Sequence, residues 1–319
     1  MRCGEAMWSS EIIESADPDE FISSIRPHGS EILVTERGSF DARSVMVDID
    51  RLYLQRRRER LARLVEVDLP RSGIIFLTEP GPSMFWNGAE IGVENLALFG
   101  PGRCISRLAG ATSWGSMSLA ADDMESVFTS YFGSSPIVAA GSTIITPPPG
   151  ALMHLRSLHA AACKMAEASP KLSMQSASAC GLEQSLIQAM LACIDARNLR
   201  PDTTALQHHR LVIRRFCEIV AMHPLKPLHV PETSHALGVS GRTLRMACQK
   251  HLGVSPTQYL LLRRMHLARR ALRRSDPDVT RVTEVATNLG FWELGRFSVN
   301  YRQLFGESPS TTLRAAASN

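Results

Sequence analysis

The chain has 319 residues, length for roughly two domains, and its 44% hydrophobic content is ordinary for a globular protein that buries a core. No apolar run approaches the roughly 18 residues of a membrane span, and the acidic opening residues lack a signal peptide's apolar core. Seven scattered cysteines (Cys3, Cys104, Cys163, Cys180, Cys193, Cys217 and Cys248), an odd number with no CxxC, favour free thiols in a reducing cytoplasm, where the protein is expected. The net charge of +4 hides a division: residues 206–319 hold 17 Lys and Arg against 7 Asp and Glu, while residues 1–205 hold 18 against 24, so a basic module that meets a polyanion is expected beside an acidic one.

From Ile32 to about Ile145, short apolar or alternating runs broken by Gly, Pro and Asn predict successive strands. "RLYLQRRRERLARLVEVDLP", "SGIIFLTEPG", "MFWNGAEIGVENLALFGPGR" and "TSWGSMSLAADD" belong to this block, which reads as a small all-β barrel or sandwich. Asn87-Gly88 suits a two-residue hairpin turn, because both residues take positive φ at low cost. A helix is predicted from Asp122 to about Phe132. "TPPPG", Thr146 to Gly150, then forbids helix and ladder bonding alike.

Two amphipathic helices follow, over 151–168 and 182–197. Leu152, Leu155, Leu158 and Ala162 share one face of the first, and Leu182, Leu186, Ala189, Met190 and Ile194 one face of the second. They serve as dimerisation helices or pack on their own domain. "NLRPDTTA" reads as a linker, and everything from Leu206 onward as helix. The expected organisation is therefore multidomain α and β, with a β-rich domain over 1–146, a helical segment over 147–205 and an all-α domain over 206–319.

Within that all-α domain a single unit occurs twice. "VPETSHALGVSGRTLRMACQKHLGVSP" (230–256) and "VTEVATNLGFWELGRFSVNYRQLFGESP" (282–309) each set Leu-Gly eight residues after an opening Val, then a basic segment, then Gly three residues before Pro. In the first copy the apolar spacing predicts a helix over 230–237, stopped at Gly238, and a second over 241–252 with Ser240 as its N-cap and Gly253 as its stop. Leu244, Ala247, Cys248 and Leu252 would be buried, with Gly241, Arg242, Arg245, Met246 and Gln249 outward. The second copy predicts helices over 282–289 and 293–305, with Phe291 inward and Phe297, Tyr301 and Phe305 buried. Helix, tight turn at Gly and a basic second helix make a helix-turn-helix, whose second helix enters a DNA major groove. Ser255-Pro256 opens a helix running to Arg274, ~28 Å long at ~1.5 Å per residue, which would carry the two units to successive major grooves.

These motifs, with the linker stretch "RRMHLARRAL", resemble the DNA-binding domain of the AraC/XylS family of bacterial transcriptional regulators over about a third of the chain. The resemblance implies that Arg242, Arg245 and Met246 face bases, and arginine forks suit guanine O6 and N7. Gln249 and Lys250 lie further along the helix, toward phosphate. In the second unit the base-reading positions correspond to Leu294, Gly295, Arg296 and Val299. Here the chain departs from the family pattern at Trp292, Gly295 and Val299, which implies a second unit that mainly positions the protein through Arg296, Asn300 and Arg302.

For the N-terminal domain the resemblance implies a cupin-like ligand fold and dimerisation helices, hence a homodimer on double-stranded DNA, with RNA polymerase and a small-molecule effector as further partners. Only His28 lies before residue 150, so no metal site and no cofactor is expected. Arg56 with Arg60, and Arg103 with Arg107, repeat Arg-x-x-x-Arg and are candidates to hold an anionic effector, such as a cyclic dinucleotide or an organic acid. Their alternative is an outward strand face. Trp86 and Trp114 line an apolar pocket or belong to the core. No nucleotide-binding, zinc-protease or nucleophile-elbow motif is present, His154, His159, His208 and His209 have no carboxylates at ligand spacing, and no cysteine has a Pro-Cys-His-Arg-like setting. The expectation is a regulator rather than an enzyme, acting as an effector-controlled activator. An effector-independent DNA-binding dimer or a repressor is the alternative.

Overall fold

The structure is a computed structural model, and it describes residues 8–24, 31–133, 142–169, 176–194, 204–223 and 228–315. Cys3, His28 and most of the expected "NLRPDTTA" linker lie outside the described residues. In chain order the first elements are β1 (Trp8–Ser15), α1 (Pro18–Ser24), β2 (Glu31–Val34), β3 (Ala42–Ile49), β4 (Leu52–Glu59), β5 (Arg63–Leu69) and β6 (Arg71–Leu77). They continue with β7 (Met84–Trp86), β8 (Ala89–Ile91), β9 (Leu96–Phe99), β10 (Gly102–Leu108), β11 (Thr112–Ala120), α2 (Ala121–Phe132) and β12 (Ser142–Ile145). Only helices follow: α3 (Ala151–Ala168), α4 (Ser176–Ala192), α5 (Thr204–Met222), α6 (Val230–Ala236), α7 (Gly241–Leu252), α8 (Pro256–Arg274), α9 (Val282–Asn288), α10 (Leu294–Phe305) and α11 (Pro309–Ala315). The chain is thus mixed α and β, β-rich early and all-helical late.

Two compact units divide it. One comprises Met1–Glu31, Phe40–Arg60 and Glu66–Asp202, and the other Ile32–Ser39, Leu61–Val65 and Thr203–Asn319. The strands form a seven-stranded sheet, ordered β1-β3-β4-β11-β6-β9-β12, and a five-stranded sheet, ordered β2-β5-β10-β7-β8. Asn87 (φ 49°) and Gly88 (φ 79°) make the expected two-residue turn, with Trp86 paired to Ala89 across it.

Strand alternation builds the core of the first unit. Leu52 and Leu54 of β4 join Val45, Val47, Ile74, Phe76, Met117 and Leu119 on one face of the large sheet, and α3 and α4 cover that face with Leu155, Ala162, Leu186 and Met190. The opposite face of β4 buries polar groups. Arg57 stands across from Trp114, with its guanidinium 5.0 Å from the indole ring, and Trp114 Nε1 donates to Glu59 Oε1 at 2.9 Å. Trp86 packs 5.5 Å from Phe99, so both tryptophans belong to the interior.

Two helix readings differ from the sequence expectation. α4 starts at Ser176, six residues earlier than the apolar spacing indicated, because the small Ala179 is fully buried without contributing a long apolar side chain. Leu158 is only half-buried, and His159 takes the central buried position on α3. Its Nε2–H donates to the Gln55 carbonyl at 3.0 Å, and its ring meets Phe76 edge-on at 5.2 Å. Gly115 makes room, since a Cβ there would lie 2.7 Å from the His159 ring. Burial, with a smaller contribution from Arg56, holds this imidazole neutral and pushes its pKa down to about 4.

Among the described residues, no helix is long and apolar enough to cross a membrane, and no group of three His, Cys, Asp or Glu is placed to hold a metal ion.

Candidate nucleic-acid interface

The basic half of the chain builds its surface from two short local devices used twice. In the first copy α6 closes at Gly238 (φ 66°), a left-handed position that glycine takes freely. Ser240 then caps α7, with its Oγ accepting the Thr243 amide at 3.1 Å. Leu244, Ala247, Cys248 and Leu252 are fully buried along one face of α7, as their spacing predicts. Arg242, Arg245, Met246, Gln249 and Lys250 remain exposed on the other side. Five of the expected interface residues therefore share one helix and one outward surface.

α8 joins the copies with the bounds that its caps indicate. Ser255 Oγ accepts the Gln258 amide at 3.2 Å, and Pro256 fills the first helical position. Tyr259 contacts Phe216 at 5.5 Å between ring centres, and Arg263 donates to the Val220 carbonyl at 2.6 Å, tying α8 to α5. Further along, Met265, Ala268 and Leu272 belong to the core of the second copy, with Ala286, Leu289, Phe291, Phe297, Tyr301 and Leu313. One helix is thereby built into both helix-turn-helix cores.

The second copy closes α9 at Gly290 (φ 76°), and Phe291 turns inward. On α10, Phe297 and Tyr301 are buried, while Phe305 is half-buried at the edge of the same cluster. Tyr301 donates to Thr312 Oγ1 at 2.9 Å, and Thr312 to Glu307 Oε1 at 2.8 Å, so a polar chain runs from α10 into α11. Outward lie Arg296, 3.7 Å from Glu293, and Arg302, both exposed, whereas Asn300 is half-buried. Trp292 (77% exposed) and Val299 (56%) also face solvent. Sequence reasoning marks both as departures from a family pattern, Val299 at a base-reading position and Trp292 without a role.

The four arginines expected to hold an anionic effector are not assembled. Arg56 lies on the seven-stranded sheet, where its Nη2 meets Glu79 Oε1 at 2.8 Å, and Arg60 is exposed just past β4. Arg103 and Arg107 lie on β10 of the five-stranded sheet. Arg103 Nε pairs with Glu66 Oε1 at 2.9 Å, and the Arg107 guanidinium stacks 3.6 Å from the Phe85 ring, its pKa lowered by burial. The buried arginines of the strands are Arg57 and Arg63, and the Arg-x-x-x-Arg spacing skips both.

The tandem helix-turn-helix region is similar to known proteins. A helix-turn-helix domain model matches residues 233–315. The probable thc operon regulatory protein of Rhodococcus erythropolis is 40% identical over 103 residues, which cover 32% of this chain and 31% of that protein. The XylDLEGF operon transcriptional activator of Pseudomonas putida is 42% identical over 76 residues, covering 24% of each chain. Among solved structures, a probable AraC family transcriptional regulator from Rhodopseudomonas palustris CGA009 is 33% identical, covering 33% of this chain and 97% of that one, with a TM-score of 0.31. The chain thus spans less than a third of the length of these two curated relatives, and the helix-turn-helix model falls on the tandem unit.

Proposed function

We propose that this chain, which belongs to the AraC/XylS family, binds specific double-stranded DNA sites through both helix-turn-helix units and thereby regulates transcription. The observation that carries the reading is the pair of helices, α7 and α10, each burying an apolar face in a helix-turn-helix core and turning cationic side chains outward. The charge division supports it, since a basic module lowers the cost of approaching phosphate. The names of the relatives favour activation over repression. Control by a small molecule on the first unit, homodimer formation and contact with RNA polymerase complete the proposal. A thermal-shift screen of organic acids, sugars and cyclic dinucleotides tests the first of these, because a ligand that binds only the folded state raises the melting temperature.

The direct test is retention of sheared genomic DNA by the purified full-length protein. Discrete peaks holding two short motifs about one helical turn apart are expected. Diffuse, salt-sensitive retention without any motif would overturn site-specific binding.

Two substitutions on α7 should separate the roles of its cations. Arg245→Ala is expected to relax base preference at one position, at a cost of about 1–3 kcal/mol there. Lys250→Ala is expected to weaken binding to all sequences about equally and to reduce the slope of log affinity against log salt by about 1. Selection from a randomised duplex library checks both. An unchanged sequence preference for Arg245→Ala would displace α7 from the groove.

A further inference from the structure

We infer that each recognition helix reads a thymine 5-methyl group through one apolar side chain, Met246 on α7 and Val299 on α10. This rests on the DNA-binding reading above and extends it to what the two helices recognise.

The inference comes from register. Leu244 and Phe297 are the buried anchors of the two helices, and from them onward the copies run 53 residues apart through Gly253 and Gly306 to Pro256 and Pro309. In that register Met246 and Val299 are the same position, the sixth residue of α7 and of α10. Both are exposed, 52% and 56%, on otherwise polar faces. A lone exposed apolar side chain needs no explanation. The same position left apolar and exposed in both copies, at the centre of each outward face, does.

The neighbours decide what covers these side chains. Arg242 and Gln249 lie one turn to either side of Met246 on its face of α7, and Arg296 and Arg302 one turn to either side of Val299 on α10. An apolar protein surface would have to desolvate those cations, whereas DNA supplies phosphates for them. Within the major groove the apolar group presented on a base edge is the C5 methyl of thymine. Valine is short, so α10 must come close to reach it. Gly295, one turn before Val299, permits this: a Cβ there would meet nothing within 4 Å, so packing inside the protein does not call for glycine.

The test uses full-length protein and the motif recovered by selection, with each thymine replaced singly by deoxyuridine, which removes only the methyl group. One replacement in each half of the motif is expected to weaken binding about fourfold, the loss of one buried methyl. Met246→Ala should erase that sensitivity in the first half alone, and Val299→Ala in the second half alone. Both side chains are exposed, so both variants should keep the parent melting temperature, which shows that neither has lost its fold. Deoxyuridine replacement without effect, a motif lacking thymine in either half, or a methyl effect that persists in both variants would overturn the inference while leaving site-specific binding standing. Absence of any motif would overturn the DNA-binding reading and this inference with it.

Discussion

Tyr301→Ala is expected to destabilise the second helix-turn-helix by about 3–5 kcal/mol, the usual loss for truncating a buried aromatic side chain. Tyr301 is fully buried, with ring centres 5.6 Å from Phe297 and 4.6 Å from Phe305. Its removal opens a cavity in the apolar cluster that holds α10 against α8 and α11. It also leaves Thr312 without the hydroxyl that donates to it. Burial raises the phenol's pKa above its ordinary value, so the group stays protonated and remains a donor. Tyr301→Phe keeps the ring and loses only the hydrogen bond, at a cost of about 1 kcal/mol. Thermal unfolding followed by far-ultraviolet circular dichroism, with binding to each half of the DNA motif, measures both variants. Recognition of the second half should disappear in Tyr301→Ala and persist in Tyr301→Phe. Equal losses in the two would place the energy in the hydroxyl chain rather than the ring.

Acidification is the second large effect, and its seat is His159. In the unfolded chain an imidazole takes up a proton near pH 6.5, while in the folded protein this one does so only near pH 4. Between those values the unfolded state binds more protons, so stability falls as pH falls. Nothing is lost above about pH 6.5, and the loss reaches about 3 kcal/mol by pH 4. His159→Gln removes the titrating group but keeps an amide that can donate to the Gln55 carbonyl. Urea unfolding of both proteins between pH 7 and 4, read by tryptophan fluorescence, isolates the effect. Three of the four tryptophans (Trp8, Trp86 and Trp114) are half-buried or buried in the first unit, and Trp292 is already exposed, so the signal reports that unit. Superimposable acid slopes for the two proteins would remove His159 as the cause.

What could be read from the sequence follows from how locally each feature is determined. α7 and α8 have the expected bounds residue for residue, because Ser240, Ser255, Pro256 and Gly253 set them by bonds made within three to five positions. The Asn87-Gly88 turn was legible for the same reason. The start of α4 was not: "SASACG" offers no apolar period, and only packing against α3 makes those small residues helical. His159 falls on the stripe of Leu152, Leu155 and Ala162 at helical spacing, so the signal existed, but a histidine reads as polar until Gly115, 44 positions away, is seen to admit it. The candidate interface was largely legible because repetition marks it. The arginines of the β-rich unit were not, because strand pairing decides whether Arg56 or Arg57 turns inward, and pairing is non-local.

Because α8 is fastened into both helix-turn-helix cores, binding through both units as proposed would leave it to the DNA, and not the protein, to keep the two motifs in phase. One base pair inserted between them would turn the second motif about 34–36° around the duplex axis and move it ~3.4 Å along it. A capped α-helix of 19 residues, held by Tyr259 at one end and Leu272 at the other, has no hinge with which to follow. A promoter serving this protein should therefore tolerate a changed letter inside either motif better than a gained or lost letter in the gap.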